Sequence, residues 1–161
     1  MRWKPFFVKI QWKTTNLTND PETSEECRQE LERLNVPWRR ESFMSRVLAG
    51  NAKLVKLFLT AGMSPETSDR NGITALMWAA GKGHAEIVRL LLRFGGNPNS
   101  QSPKGRTALM SAAYFGRPEI VEILLDHETL LHLKDFEDKT AADWALERNQ
   151  TAIAENLKKR S

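Results

Sequence analysis

The sequence has one cysteine and no long hydrophobic run. Cys27 has no second thiol in this chain to pair with, so an internal disulfide is excluded and a reducing compartment fits. The apolar runs are far shorter than the roughly 20 residues that a membrane-spanning helix needs. The start, MRWKPFFVKIQWK, loses its apolar character after FFV, unlike the core of a signal peptide. We therefore expect a cytoplasmic protein with no membrane segment.

Motifs for catalysis and for cofactor binding are also missing. The chain lacks the GKS/T phosphate-binding signature and the nucleophile elbow of serine hydrolases. His127 and His132 have no third and fourth ligand at a spacing that suits zinc, and Cys27 is remote from them. We therefore predict that the protein is not an enzyme and has no cofactor and no metal site.

A fixed period is present instead. Gly72 and Gly105 each stand shortly before the letters TALM, and the same interval separates Gly62 from Gly95 in an earlier loop. A constant period in the range of about 20–50 residues is typical of proteins built from stacked structural repeats. A catalytic constellation has no reason to recur at a constant interval, so the period favours a packing module.

The repeated letters resemble the ankyrin repeat. After Gly72 the chain reads TALM, AA, GH, EIVRLLL and GGNPN, in the order of the family's Thr-Pro-Leu-His, Ala-Ala, Gly-His, apolar helix and Gly-Ala-Asp loop. A second close copy starts at Gly105, with alanine in place of the usual proline in both. The first copy has lost its Thr-Ala-Leu start, and the fourth has Asp138 where glycine is expected.

The resemblance implies an all-α solenoid of stacked helix-turn-helix units with short β-turn fingers between them. It covers residues 41–161, with repeats at about 41–69, 70–102, 103–135 and 136–161. The apolar patterns place the first helices at 42–49, 75–82, 108–115 and 141–148, and the second helices at 52–60, 85–94, 118–126 and 151–158. Short helices cannot bury their apolar faces alone, so we expect neighbouring repeats to cover them.

Residues 1–40 do not follow the repeat. Apolar and polar residues alternate over 5–12, which predicts a half-buried strand. Residues 21–34 read as a helix whose start Thr23 and Glu26 can cap together. We expect this extension to cap the exposed side of the first repeat.

The family resemblance implies that finger tips and first helices form a concave face that grips a partner. Aromatic and basic residues predominate at the matching positions, which suits an acidic protein segment with a hydrophobic residue or two. The candidate partner-binding residues are Arg70, Asn71, Ile73, Lys82, Lys104, Arg106, Tyr114, Phe115, Phe136, Lys139 and Arg148.

Four aromatic residues on the first helices have two interpretations. Trp78 and Trp144 occupy a position that is usually apolar, so we predict that they pack between first helices. Tyr114 and Phe115 stand where the two neighbouring repeats have Gly81–Lys82 and Glu147–Arg148, so we interpret them as binding anchors, with loop packing as the alternative. His84 belongs to the repeat's Gly-His pair, where the family uses histidine to bond the backbone of an adjacent loop.

Three functions stay open at this point. The leading hypothesis is a non-enzymatic, monomeric protein-binding module. The second is nucleic-acid binding through the basic face and the basic, aromatic segment MRWKPFFVKIQWK, in a chain of net charge +4. The third is a peripheral membrane role for that segment, which its strand-like pattern disfavours.

Overall fold

The computed structural model describes residues 23–160, and the chain forms nine α-helices in this range. The helices are α1 Ser24–Arg33, α2 Arg40–Leu48, α3 Ala52–Thr60, α4 Ala75–Lys82, α5 Ala85–Arg93, α6 Ala108–Tyr114, α7 Pro118–Leu125, α8 Ala141–Glu147 and α9 Thr151–Arg160. The β-structure of this part of the chain is one isolated bridge between Ser68 and Thr74. The strand predicted at 5–12 lies outside the described residues.

Helices α2 to α9 form four antiparallel pairs stacked side by side. The first helices α2, α4, α6 and α8 form one layer in which neighbours contact each other, and the second helices α3, α5 and α7 form another. Each pair is also packed internally, α2 on α3, α4 on α5, α6 on α7 and α8 on α9. The predicted all-α repeat solenoid is confirmed.

Threonine fixes where three of the first helices begin. The side chains of Thr74, Thr107 and Thr140 each accept the backbone N–H three residues ahead, at 3.2, 3.2 and 3.3 Å. Glu41 stands at this position in the first repeat, and α2 has no side-chain capping bond. Helix α2 therefore begins at Arg40, two residues before the predicted start.

Left-handed backbone recurs at equivalent places in the repeats. At the finger tips, φ is 72° at Gly72, 77° at Gly105 and 59° at Asp138. Aspartate is one of the few residues that tolerate this region, which explains how Asp138 replaces the glycine. The ends of α4 and α6 use Gly83 and Gly116 in the same way, with φ of 88° and 64°.

The core lies between the two layers. Leu91 of α5 and Leu124 of α7 occupy equivalent positions, and both are fully buried. The first helices contribute small side chains, which let neighbouring helices approach closely. The fully buried alanines of these helices are Ala75, Ala79, Ala80, Ala112, Ala113 and Ala145.

Helix α1 packs against α3. Thr23 and Glu26 form the expected capping box at its start, and its apolar side buries Cys27 and Leu31. Arg28 joins the two helices further, since its Nε donates to the carbonyl oxygen of Ala61 at 3.1 Å. Helix α1 therefore covers part of the first repeat, whereas the assignment of the whole segment 1–40 as a cap stays a prediction.

The packing of α1 predicts that this helix unfolds together with the repeats. Leu31→Ala removes a fully buried side chain and should lower the free energy of unfolding by about 2–5 kcal/mol. Leu34→Ala is the matched control, because Leu34 follows the same helix and is 44% exposed, and should change it by less than about 1 kcal/mol. Urea unfolding followed by circular dichroism measures both. Equal stability of the two variants would show that α1 is not part of the cooperative unit.

Candidate functional site

The candidate site is the face formed by the first helices and the fingers, the connecting loops 62–73, 95–106 and 127–139. Consecutive fingers pack directly on each other. A β-carbon on Gly72 would lie 2.7 Å from the ring of Pro103, and one on Gly105 would lie 2.8 Å from the Cα of Asp135. The N–H of Phe136 donates to the carbonyl oxygen of Lys104 at 3.1 Å. The fingers therefore form one continuous surface beside the helices.

In two of the repeats, an aspartate carboxylate of the finger accepts a hydrogen bond from a tryptophan of the first helix. Asp69 Oδ2 accepts a hydrogen bond from Trp78 Nε1 at 2.9 Å, and Asp135 Oδ2 accepts one from Trp144 Nε1 at 2.8 Å. The second oxygen of each aspartate accepts N–H groups of its own finger, such as that of Ile73 at 3.0 Å. Each tryptophan therefore holds its finger in place, and Trp144 also packs against Tyr114 of the neighbouring first helix, as the sequence predicts.

The structural role of these aspartates was not predicted, although the sequence contains a signal for it. An aspartate stands nine residues before each of the two tryptophans. The intervening repeat has Ser102 and Ser111 at the same two positions. Ser102 Oγ accepts the N–H of Arg106 at 3.2 Å, so it replaces the aspartate within the finger, whereas Ser111 makes no link of the tryptophan type and donates to the carbonyl oxygen of Thr107.

The link between Asp69 and Trp78 changes the acidity of the aspartate. Burial raises the pKa of Asp69, but the hydrogen bonds from Trp78 and from the finger N–H groups, with the positive charge of Arg40, lower it further than burial raises it. The net result is a pKa below the ordinary value of 3.8. The folded state therefore favours the ionised carboxylate.

Two of the candidate cations, Arg106 and Lys139, lie against the ring of Trp144. The guanidinium carbon of Arg106 lies 4.3 Å and the Nζ of Lys139 lies 4.2 Å from the ring centroid of Trp144. Arg106 also lies 3.7 Å from the buried carboxylate of Asp135, and Lys139 forms ion pairs with Glu137 and Glu147. These cations lie over the ring of the buried Trp144, and each has two carboxylates within ion-pair distance.

The structure separates Tyr114 from Phe115. Tyr114 is half-buried, with its ring centroid 5.4 Å from that of Trp144 and the guanidinium of Arg148 4.6 Å above it. Phe115 is 55% exposed, and a β-carbon on Gly81 would lie 3.1 Å from its ring. Tyr114 is therefore part of the packing between repeats, and Phe115 is displayed on the surface with its ring resting on the preceding helix.

The other candidate residues are spread along the face. Phe136 at a finger tip is 82% exposed, whereas Ile73 packs partly against the core. The exposed polar candidates are Arg70, Asn71, Lys82, Lys104 and Arg148. Among residues 23–160, no carboxylate lies within ion-pair distance of the four cations in this set.

The residues before helices α5 and α7 each bond the preceding repeat. His84 Nε2 lies 3.2 Å from the carbonyl oxygen of Leu48, so it bonds backbone as predicted, but at the last residue of α2 and not in a loop. Arg117 Nε donates to the carbonyl oxygen of Gly81 at 3.2 Å. In the described part of the chain, no group of three or more His, Cys, Asp or Glu side chains is placed to hold a metal ion. None of the helices found there is long and apolar enough to span a membrane.

These features define a solenoid repeat protein in which first helices and fingers form one continuous face. A model of the ankyrin repeats, in three copies, matches residues 43–135 and 90–160. The chain therefore belongs to the ankyrin-repeat family, whose members are generally protein–protein interaction modules. A comparison with curated proteins finds no match.

The lowered pKa of Asp69 predicts a pH-dependent contribution to stability. A carboxylate with a depressed folded-state pKa stabilises the fold above its unfolded pKa, and this contribution is lost as the pH falls through the folded pKa. The free energy of unfolding should therefore fall less between about pH 5 and pH 2 in Asp69→Asn than in the parent. Trp78→Phe, which removes the indole donor, should flatten the curve in the same direction. Urea unfolding at each pH measures this, and parallel curves for all three proteins would contradict it.

Proposed function

We propose that this chain is a non-enzymatic protein-interaction module that binds its partner through the face of first helices and fingers. The observation that carries the proposal is the display of Phe115, which is 55% exposed while its ring rests on Gly81 and packs edge-on against Tyr114 at 4.9 Å. Aromatic anchors held in one place lose little conformational entropy on binding, and they are enriched at interface hot spots. Phe136 at the finger tip is a second exposed aromatic of the same face.

The charge of the face favours an acidic partner. Four of its carboxylates are engaged within the fold: those of Asp69 and Asp135 accept hydrogen bonds from tryptophan and finger N–H groups, and those of Glu137 and Glu147 pair with Lys139. The cations Arg70, Lys82, Lys104 and Arg148 have no ion pair among the described residues, so no carboxylate there neutralises their charge, although the guanidinium of Arg148 stacks on the ring of Tyr114. Such rim charges mainly accelerate association and select the partner.

Nucleic-acid binding is less well supported. The ion pairs of Arg106 and Lys139 remove two cations from the predicted basic face, which leaves the others spread over several repeats. The basic segment MRWKPFFVKIQWK, on which the alternative also depends, lies outside the described residues. A cytoplasmic location and a monomeric state stay predictions.

The proposal predicts that partner capture depends on Phe115 and not on an exposed aromatic of the other layer. Phe115→Ala should weaken capture from native cell extract about tenfold or more, the effect typical of a hot-spot aromatic. Phe94→Ala is the matched control, because Phe94 follows α5 in the second-helix layer and is 37% exposed. Both variants should melt close to the parent.

The experiment includes nuclease-treated extract and a salt series. Capture that survives nuclease and falls only moderately with salt supports a protein partner, since nucleic-acid affinity falls steeply with log salt. Loss of capture in Phe94→Ala with full capture in Phe115→Ala would place the site on the second-helix layer and overturn the proposal.

A further inference from the structure

Three residues at equivalent positions form a row across consecutive repeats. Lys82 is the last residue of α4, and Phe115 and Arg148 are the C-caps of α6 and α8. One repeat period separates each of them from the next along the chain, and α6 contacts both α4 and α8. All three side chains are exposed, so the row presents a cation, an aromatic ring and a cation in that order.

Interactions with helix α6 do not explain why its C-terminus carries Phe115, the central residue of the row. Cations are favourable at helix C-termini, which accounts for Lys82 and Arg148 in the folded chain. Helix α6 has no basic residue in its last turn and ends at Phe115 instead. The ring rests on Gly81, whose carbonyl oxygen also accepts the Nε of Arg117 at 3.2 Å, so another cation lies close by. Phe115 is therefore an apolar contact point with cations on several sides.

The spacing of the row selects a conformation for what it binds. Packed helices lie about 8–10 Å apart, so consecutive residues of the row are separated by about that distance. A polyproline II segment has three residues per turn and rises about 3.1 Å per residue, so residues i, i+3 and i+6 lie on one side about 9 Å apart. A β-strand returns to the same side every second residue, about 6.6 Å on, which does not match the row.

We propose that the row formed by Lys82, Phe115 and Arg148 recognises a polyproline II segment of the pattern acid-x-x-apolar-x-x-acid. The apolar residue contacts the Phe115 ring, and the acids pair with the flanking cations. The pattern reads the same in both directions, so the row accepts either chain orientation. The inference rests on the proposed function, because it specifies the ligand of the same face.

The test compares two fluorescein-labelled peptides of identical composition, EPPLPPE and PEPLPEP, by fluorescence anisotropy. Their acids lie three and two residues from the leucine, so net charge and proline content are held constant. The first should bind about tenfold more tightly than the second, because only its side chains reach all three positions of the row. Phe115→Ala and Arg148→Gln should each weaken the first peptide, whereas Phe94→Ala should not.

A charge exchange controls for unfolding. The Lys82→Glu/Arg148→Glu variant should lose EPPLPPE and instead bind KPPLPPK, a gain that a misfolded protein would not show. Equal affinity for the two acidic peptides, or no binding of either, would overturn the inference. The proposed function fails separately, if capture of the native partner does not depend on Phe115. A thymidine oligonucleotide that binds more tightly than EPPLPPE and loses its affinity in Phe115→Ala would overturn both.

Discussion

The structure depends on the close approach of neighbouring first helices, which small side chains make possible. Ala79, Ala112 and Ala145 are fully buried at equivalent positions, and they lie where α4, α6 and α8 contact each other. Arg46 stands at this position in α2, and its Nε is buried without a hydrogen-bond partner in the described part of the chain. Tight packing of this kind therefore starts at α4, and the candidate site lies on the helices that have it.

The same packing controls how the surface is presented. Since each finger stacks on the next and two fingers are tied to their helices by an aspartate–tryptophan hydrogen bond, the face is assembled from groups that already have structural partners. Arg106 and Lys139 form ion pairs within the face, whereas Phe115 and Phe136 stay exposed. What remains available for binding is thus the part of the face that the fold does not use.

Much of the fold could be predicted from the sequence, because the constant period repeats the local signals. Threonine caps and left-handed glycines are read directly, so α4 agrees with its predicted bounds, whereas α2, without its threonine, begins two residues before its predicted start. Helix α1 begins at Ser24, three residues after its predicted start. The details of the site could not be predicted in the same way. The ring contact of Tyr114 with Trp144 joins residues of different repeats and depends on side-chain direction, which the repeat pattern does not contain.

The difference between Lys82, Phe115 and Arg148 has a consequence for a surface built by repetition. A solenoid with identical repeats offers a ligand the same contacts after every shift by one repeat, so several degenerate bound positions compete. Here the exposed position at the end of the first helix is a cation, an aromatic ring and a cation in consecutive repeats. A ligand shifted by one repeat therefore meets different chemistry at this position, and the displayed surface lacks the translational symmetry of the fold.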